Sequence, residues 1–272
     1  MSKCFICDNE TQFYFTKQYN NFSLTSVDYF LCPNCGFVFS KTHAEMDAKQ
    51  WEKVNLVFHE DLENFDSGTT GDQTYLQLNH PPYLQQAVML NTLLKNGIID
   101  LASCLDWGSG YGRLSNVLNK YFDIHISNFD KYMEPQQNFL SSSEIASKKF
   151  KTVINSAVFE HVTHRRFLDE INSYVSEDGC LIFHTVVCEN IPKDPDWFYL
   201  TPPVHCAFHT NKSMGVLMGQ WGYECSVYCP TSKMWILYKR KPDNIEEVVR
   251  NINDELQADY LHFKMGFMDY WK

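Results

Sequence analysis

One short stretch constrains this chain more than any other: Leu105-Asp106-Trp107-Gly108-Ser109-Gly110-Tyr111-Gly112-Arg113-Leu114. It reads D-x-G-x-G-x-G. An apolar run precedes it (Ile98, Ile99, Leu101, Leu105) and a helical pattern follows it (Leu114, Val117, Leu118). The run predicts a strand and the pattern a helix, so the glycines fall on the turn between them. With no Cβ in the way, the backbone of such a turn can come close to a nucleotide-like ligand. The next strand candidate, 123–129, ends at Asp130. A carboxylate about 20 residues beyond a glycine loop is placed to accept hydrogen bonds from two ribose hydroxyls.

Three readings of the loop compete: a dinucleotide site, an S-adenosylmethionine site and a plain structural turn. The dinucleotide fingerprint is G-x-G-x-x-G. Here the glycines alternate, with an acid two residues before the first. That arrangement resembles motif I of the class I S-adenosylmethionine-dependent methyltransferases. Two further landmarks follow in family order. Phe150-Lys151-Thr152-Val153-Ile154-Asn155-Ser156, continuing to Phe159-Glu160-His161-Val162, resembles the family's fourth strand and its turn. Glu177-Asp178-Gly179-Cys180-Leu181-Ile182-Phe183-His184 resembles the turn and strand that come fifth.

The resemblance spans 98–240. It implies an α/β fold, a Rossmann-like seven-stranded sheet with helices on both faces. It also implies that Asp106, Gly108 and Gly110 lie near the methionine part of the cofactor, that Asp130 binds the ribose, and that Asn155 and Ser156 line the methyl-transfer face. The stretch from Asp130 to Phe150 is short, which compresses the family's next helix and third strand into 134–149. Its polar run Ser141-Ser142-Ser143-Glu144 reads as a solvated turn.

A cysteine quartet is the second strong signal. Cys4-x2-Cys7 and Cys32-x2-Cys35 offer four thiolates for a tetrahedral Zn2+, and Gly36 frees the backbone to turn around a metal. A hairpin over 11–16 and 24–31 fits between the pairs. The sequence shows no signal peptide or membrane-spanning run, so a cytoplasmic setting is expected and disulfides are not. The expected role of the zinc is structural, because a forty-residue segment has little core of its own. The six remaining cysteines read as small core hydrophobes.

The expected organisation is a zinc ribbon over 1–41, a helical connector and cofactor-covering loop over 42–97, a core over 98–240 with a substrate insertion at 189–209, and a C-terminal helix over 241–272. Within the connector, 59–79 reads as loop and 82–95 as a helix burying Leu84, Ala87, Val88, Leu90 and Leu94. Residues 244–263 read as one amphipathic helix, packed on the core or against a second copy of the chain in a homodimer.

The 23 basic and 33 acidic residues give a net charge of −10, which argues against a nucleic-acid substrate. It suits a small-molecule substrate. Methylating an aliphatic hydroxyl needs a base, and histidine is the natural choice at neutral pH. His205 and His209 end the insertion; Glu160 and His161 follow the fourth strand. The cysteine segment, the core, the Glu-His turn and His205-Cys206-Ala207-Phe208 together resemble bacterial sugar and sugar-nucleotide methyltransferases. The better-known members of that group are deoxysugar C-methyltransferases, which carry a further C-terminal domain; this chain departs from them in length, so O-methylation of a sugar hydroxyl in glycan or polysaccharide biosynthesis, with His205 as base, is the expectation. The alternatives are C-methylation of a ketosugar, for which the chain is short, and methylation of an RNA base. A divalent ion held by Glu160, His161, His205 and His209 is the alternative to a histidine base.

Overall fold

The computed structural model describes residues 2–19, 24–66, 81–133 and 138–269. Its strands are β1 (Gln12–Gln18), β2 (Ser26–Leu31), β3 (Val38–Ser40), β4 (Cys104–Trp107), β5 (Ser127–Phe129), β6 (Phe150–Ser156), β7 (Val175–His184), β8 (Val187–Cys188), β9 (Ala207–Thr210), β10 (Cys225–Cys229), β11 (Met234–Tyr238) and β12 (His262–Met265). Its helices are α1 (Lys41–Ala44), α2 (Ala48–Asp66), α3 (Tyr83–Lys95), α4 (Arg113–Phe122), α5 (Ser142–Ile145), α6 (Arg165–Ser173), α7 (Asn211–Gln220) and α8 (Ile245–Leu256). The chain divides into two units: 1–80 with 159–165 and 186–213, and 81–158 with 166–185 and 214–272.

The first unit is built on a five-stranded sheet ordered β1-β2-β3-β9-β8. β1 and β2 form the expected antiparallel hairpin, with a register shift between Phe13 and Phe15. Alternation along β2 buries Val27 and Tyr29, as a half-buried strand requires. β3 then pairs antiparallel with both β2 and β9. The cysteine ribbon is therefore not closed on itself: its sheet is completed by β9 and β8, strands that flank and end the 189–209 segment expected as a core insertion. Phe15, Tyr29, Val38, Leu200 and Phe208 share one apolar cluster. α2 runs on to Asp66, so the first part of the expected loop is helical. Residues 67–79 of that loop lie outside the described residues.

The second unit holds the expected seven-stranded sheet, ordered β12-β10-β11-β7-β6-β4-β5. β5, β4, β6 and β7 run parallel. β11, β10 and β12 add antiparallel. Residues on α3, α4 and α8 share a core with Ile154, Ile182, Val227 and Ile236 of the sheet. Among the described residues of the compressed 134–149 region, Phe139 makes a parallel bridge to Asn128 at one edge of the sheet. At the other edge β12 is the outermost of the seven strands.

Residues 244–263 are thus not a single helix. α8 stops at Gln257, which takes a left-handed φ of 48°. The Asn253 side chain then donates to the Leu261 carbonyl (2.8 Å) and accepts from its amide (2.9 Å). That two-way clamp turns the chain back into β12. The buried face of α3 is also rotated from the expected stripe. Ala87 and Leu90 are buried, with Gln86, Met89 and Leu93, but Leu84 and Val88 are exposed. The polar run at 141–144 forms a capping box, in which Ser141 and Glu144 cap the single-turn helix α5. Among the described residues, no helix is long and apolar enough to cross a membrane.

Candidate active site

In the second unit the glycine turn lies at the carboxyl end of β4, the place where open α/β sheets bind ligands. Gly108, Gly110 and Gly112 all take positive φ, at 76°, 53° and 69°. At Gly108 glycine is also a steric need, since a Cβ would sit 2.6 Å from Val158 Cγ2. At Gly110 a Cβ would meet nothing within 4 Å, so the backbone there faces open space. The turn is fastened to β5: the Gly108 amide donates to the Phe129 carbonyl (2.8 Å), and the Gly110 amide to Asp130 Oδ2 (2.8 Å). Asp130 Oδ1 accepts from the Tyr132 amide (2.9 Å). Asp130 therefore braces the turn, and its remaining lone pairs are what a ribose would use.

Buried polar atoms without partners gather at these strand ends. Asp106 is 2% exposed and its Oδ1 has no partner. Burial, and then the charge of Asp130, push its carboxyl up to about 7. Asn155 donates to the Trp107 carbonyl (3.0 Å) while its Oδ1 is left over. Ser156 donates to Gln86 Oε1 (3.1 Å), which leaves Gln86 Nε2 unmatched. His184, opposite Ser156 in the ladder, has an unpartnered Nδ1. Each such atom costs about 1–3 kcal/mol unless something satisfies it. Together they offer acceptors and donors that suit the ammonium, carboxylate and ribose of S-adenosylmethionine. The six cofactor-binding residues expected from sequence lie on this turn and these strand ends. Gln86, buried on α3, joins these strand ends without having been singled out in the sequence.

The first unit brings together a second group. A 3-10 turn over Phe159–His161 presents Glu160 and His161. Ligand atoms of Glu160, His161 and His205 all lie within 4.8 Å of one another. The His161 and His205 rings meet edge to face at 5.0 Å. Tyr199 holds two of the three: its hydroxyl donates to Glu160 Oε1 (2.6 Å), and its carbonyl accepts from His205 Nδ1 (2.6 Å). A carbonyl only accepts, so His205 carries its proton on Nδ1 and its lone pair on Nε2. Burial pulls His205 down to about 3. His209 is not in this group. It is fully buried between the rings of Phe37 (4.9 Å) and Phe159 (5.8 Å), and neither of its nitrogens has a partner. Nothing in the sequence singled out Tyr199 beyond the aromatic run Trp197-Phe198-Tyr199.

The four cysteines Cys4, Cys7, Cys32 and Cys35 also converge, with their sulfurs within 4.8 Å of one another. Cys4 and Cys35 Sγ are 3.7 Å apart, Cys7 and Cys32 Sγ 3.5 Å. The Ile6 amide points at Cys4 Sγ, and the side-chain amides of Asn9 and Asn34 at Cys7 Sγ.

The methyltransferase domain family matches residues 81–226, more than half of the chain. Among solved structures, the chain is similar to the plantazolicin methyltransferase BpumL in complex with SAH, at 11% identity over 81% of this chain and 95% of that one, with a TM-score of 0.46. It is also similar to magnesium protoporphyrin IX methyltransferase from Synechocystis PCC 6803, at 16% identity over 65% and 93%, TM-score 0.40. A SAM-dependent methyltransferase from Aquifex aeolicus gives 16% identity over 62% and 98%, TM-score 0.40. No curated protein matches the chain. The family match includes the acid-glycine turn and the parallel strands, and the chain belongs to the methyltransferase domain family as a class I S-adenosylmethionine-dependent methyltransferase.

Proposed function

We propose that this enzyme methylates a hydroxyl of a sugar or sugar nucleotide, in glycan or polysaccharide biosynthesis. The observation that carries this reading is the Glu160–His161–His205 group, held by Tyr199. A sugar hydroxyl is a poor nucleophile until its proton leaves, so the reaction needs a proton-accepting group. S-adenosylmethionine, when bound, supplies a methyl on a positively charged sulfur. The chain supplies His205, kept neutral by burial with its Nε2 lone pair fixed by the Tyr199 carbonyl, and the Glu160 carboxylate beside it. The net charge of −10 suits a small acceptor better than a polyanion. Phe198, 47% exposed in the same unit, offers a ring face to the apolar side of a sugar.

We also assign a structural Zn2+ to Cys4, Cys7, Cys32 and Cys35. Zn–S bonds of about 2.3 Å in a tetrahedron give S–S edges of about 3.7 Å. The observed separations of 3.7 and 3.5 Å fit that figure. The N–H groups aimed at Cys4 and Cys7 suit thiolate acceptors.

The test is to incubate the enzyme with S-adenosylmethionine and a panel of sugar nucleotides, and to read the products by mass spectrometry. The expected result is a gain of one methyl on an oxygen of one of them. His205→Ala should lose turnover while retaining cofactor binding by calorimetry. No transfer to any sugar nucleotide, or full turnover by His205→Ala, overturns the reading.

A further inference from the structure

We propose that Glu160, His161 and His205 form a binding site for one divalent transition-metal ion, separate from the cysteine site. Three features carry it. The donor set is two imidazoles and one carboxylate, all within 4.8 Å of one another. Glu160 and His205 are 1% and 5% exposed, so the group is built into the interior rather than scattered over a surface. And the surroundings are those of a metal shell. Metal-ligating histidines almost always donate their other ring N–H to a carbonyl or carboxylate, and ligating carboxylates are themselves hydrogen-bonded. Here one residue does both: Tyr199 accepts from His205 Nδ1 and donates to Glu160 Oε1. The nitrogen left to coordinate is His205 Nε2.

The geometry needs little adjustment. Ligand atoms about 2.1 Å from an ion are separated by about 3.0–3.4 Å. The observed spread of up to 4.8 Å closes by a side-chain movement. Tyr199 fixes Glu160 and His205, and His161 is the most accessible of the three, at intermediate burial. Three protein ligands leave open positions on the ion. Two imidazoles and a carboxylate favour Zn2+, Mn2+, Fe2+ or Co2+ over Mg2+ or Ca2+. His209 takes no part, because it sits among Phe37 and Phe159.

The role of the ion rests on the hydroxyl reading above, whereas its binding does not. At an open position the ion takes the acceptor oxygen as a ligand and lowers the pKa of its hydroxyl. The O–H bond then breaks with its electron pair staying on oxygen, and the proton passes to water. The oxygen forms its new bond to the methyl carbon as the carbon–sulfur bond breaks, and the pair from that bond stays on sulfur. In this form His205 Nε2 is a ligand rather than the final proton acceptor.

The test is a titration with Mn2+, followed by electron paramagnetic resonance, of the full chain carrying a single equivalent of zinc for its four thiolates. Manganese is a poor competitor for four thiolates, so the signal reports the second site. The expected result is one bound Mn2+ per chain. Glu160→Gln and His205→Ala should each weaken it at least tenfold. Tyr199→Phe, which keeps the carbonyl and removes the hydroxyl, should weaken it about 10-fold. His161→Ala changes the least embedded member and serves if the buried variants fail to fold. Each variant is checked by cofactor binding and thermal unfolding. No stoichiometric Mn2+ in the native chain, or equal affinity in native chain and His161→Ala, overturns the proposal. Bound Mn2+ with no methyl transfer to any sugar nucleotide retains the site and rejects only the acceptor.

Discussion

Replacing Asp106 with asparagine should make the ligand-free protein more stable at pH 8 and unable to hold its cofactor. The reason is the burial of that carboxyl. It is 2% exposed, one oxygen has no partner, and its pKa is raised from 3.8 to about 7 by burial and then by Asp130. Between these two values the folded chain holds a proton that the unfolded chain has released. Stability contributed here is therefore intact below about pH 4, falls as pH rises, and is fully lost above about 7. A shift of about three units corresponds to about 4 kcal/mol at ~1.4 kcal/mol per unit. This is an upper bound, since the site can relax. An asparagine in its place has no charge to desolvate, so the slope vanishes with the substitution.

Denaturant unfolding of both proteins from pH 5 to 8.5 tests this. The difference in free energy should change by about 1.4 kcal/mol per pH unit up to about pH 7 and then flatten. Calorimetry supplies a second readout. Bringing a cationic ligand to Asp106 should drive off its proton, so binding at pH 6.5 should release about three-quarters of a proton, read from heats in buffers of different ionisation enthalpy. A free-energy difference independent of pH, or binding with no proton release, would refute the reasoning.

Gly110→Ala should cost only about 1–2 kcal/mol of stability, from the left-handed φ alone, yet weaken cofactor binding sharply by calorimetry, because its Cβ enters open space at the turn. Gly108→Ala should cost more in stability, adding the contact with Val158 to the same strain. Stripping zinc with a strong chelator should release one equivalent and lower the melting temperature of the full chain; an unchanged melting curve after release would reject a structural role. Acid should destabilise the chain through His43 and His184, which burial depresses to about 4. Each must take up a proton on unfolding below about pH 6.5, so stability should fall from there towards pH 4, and replacing either with Gln should make that limb shallower in denaturant titrations. Asn253→Ala should cost about 2 kcal/mol through its two bonds to Leu261, measured by the same titration.

The cofactor half of the molecule was legible because its signals are local. A D-x-G-x-G-x-G turn and two apolar strands in order each depend on residues close in sequence. The rest depends on pairings the sequence does not encode locally. β12 reads as the tail of a helix, because Leu256, Tyr260 and Phe263 keep an apolar period; the two-way clamp from Asn253 to Leu261 breaks it. Leu84 and Val88 fit an apolar stripe on α3, but the face that packs is set by Gln86, Met89 and Leu93, whose partners come from elsewhere. Glu160, His161 and His205 were each visible as candidates. Their grouping without His209, and the part played by Tyr199, required the turn at 159–161 and the strand at 207–210 to be folded together.

The strand pairing of β3 with β9 has a consequence for how the chain is made. Thr210 Oγ1 donates to the Cys35 carbonyl (2.6 Å), and its side chain fills the space beside Gly36, where a Cβ would lie 2.9 Å from its methyl group. A ribosome delivers Cys35 long before Thr210. Through that interval the thiolate knuckle can close on its ion, yet the free edge of Val38–Ser40 has nothing to pair with. Nascent chains halted short of residue 207 should thus carry an exposed strand edge and stick to one another, while those that reach 213 should not.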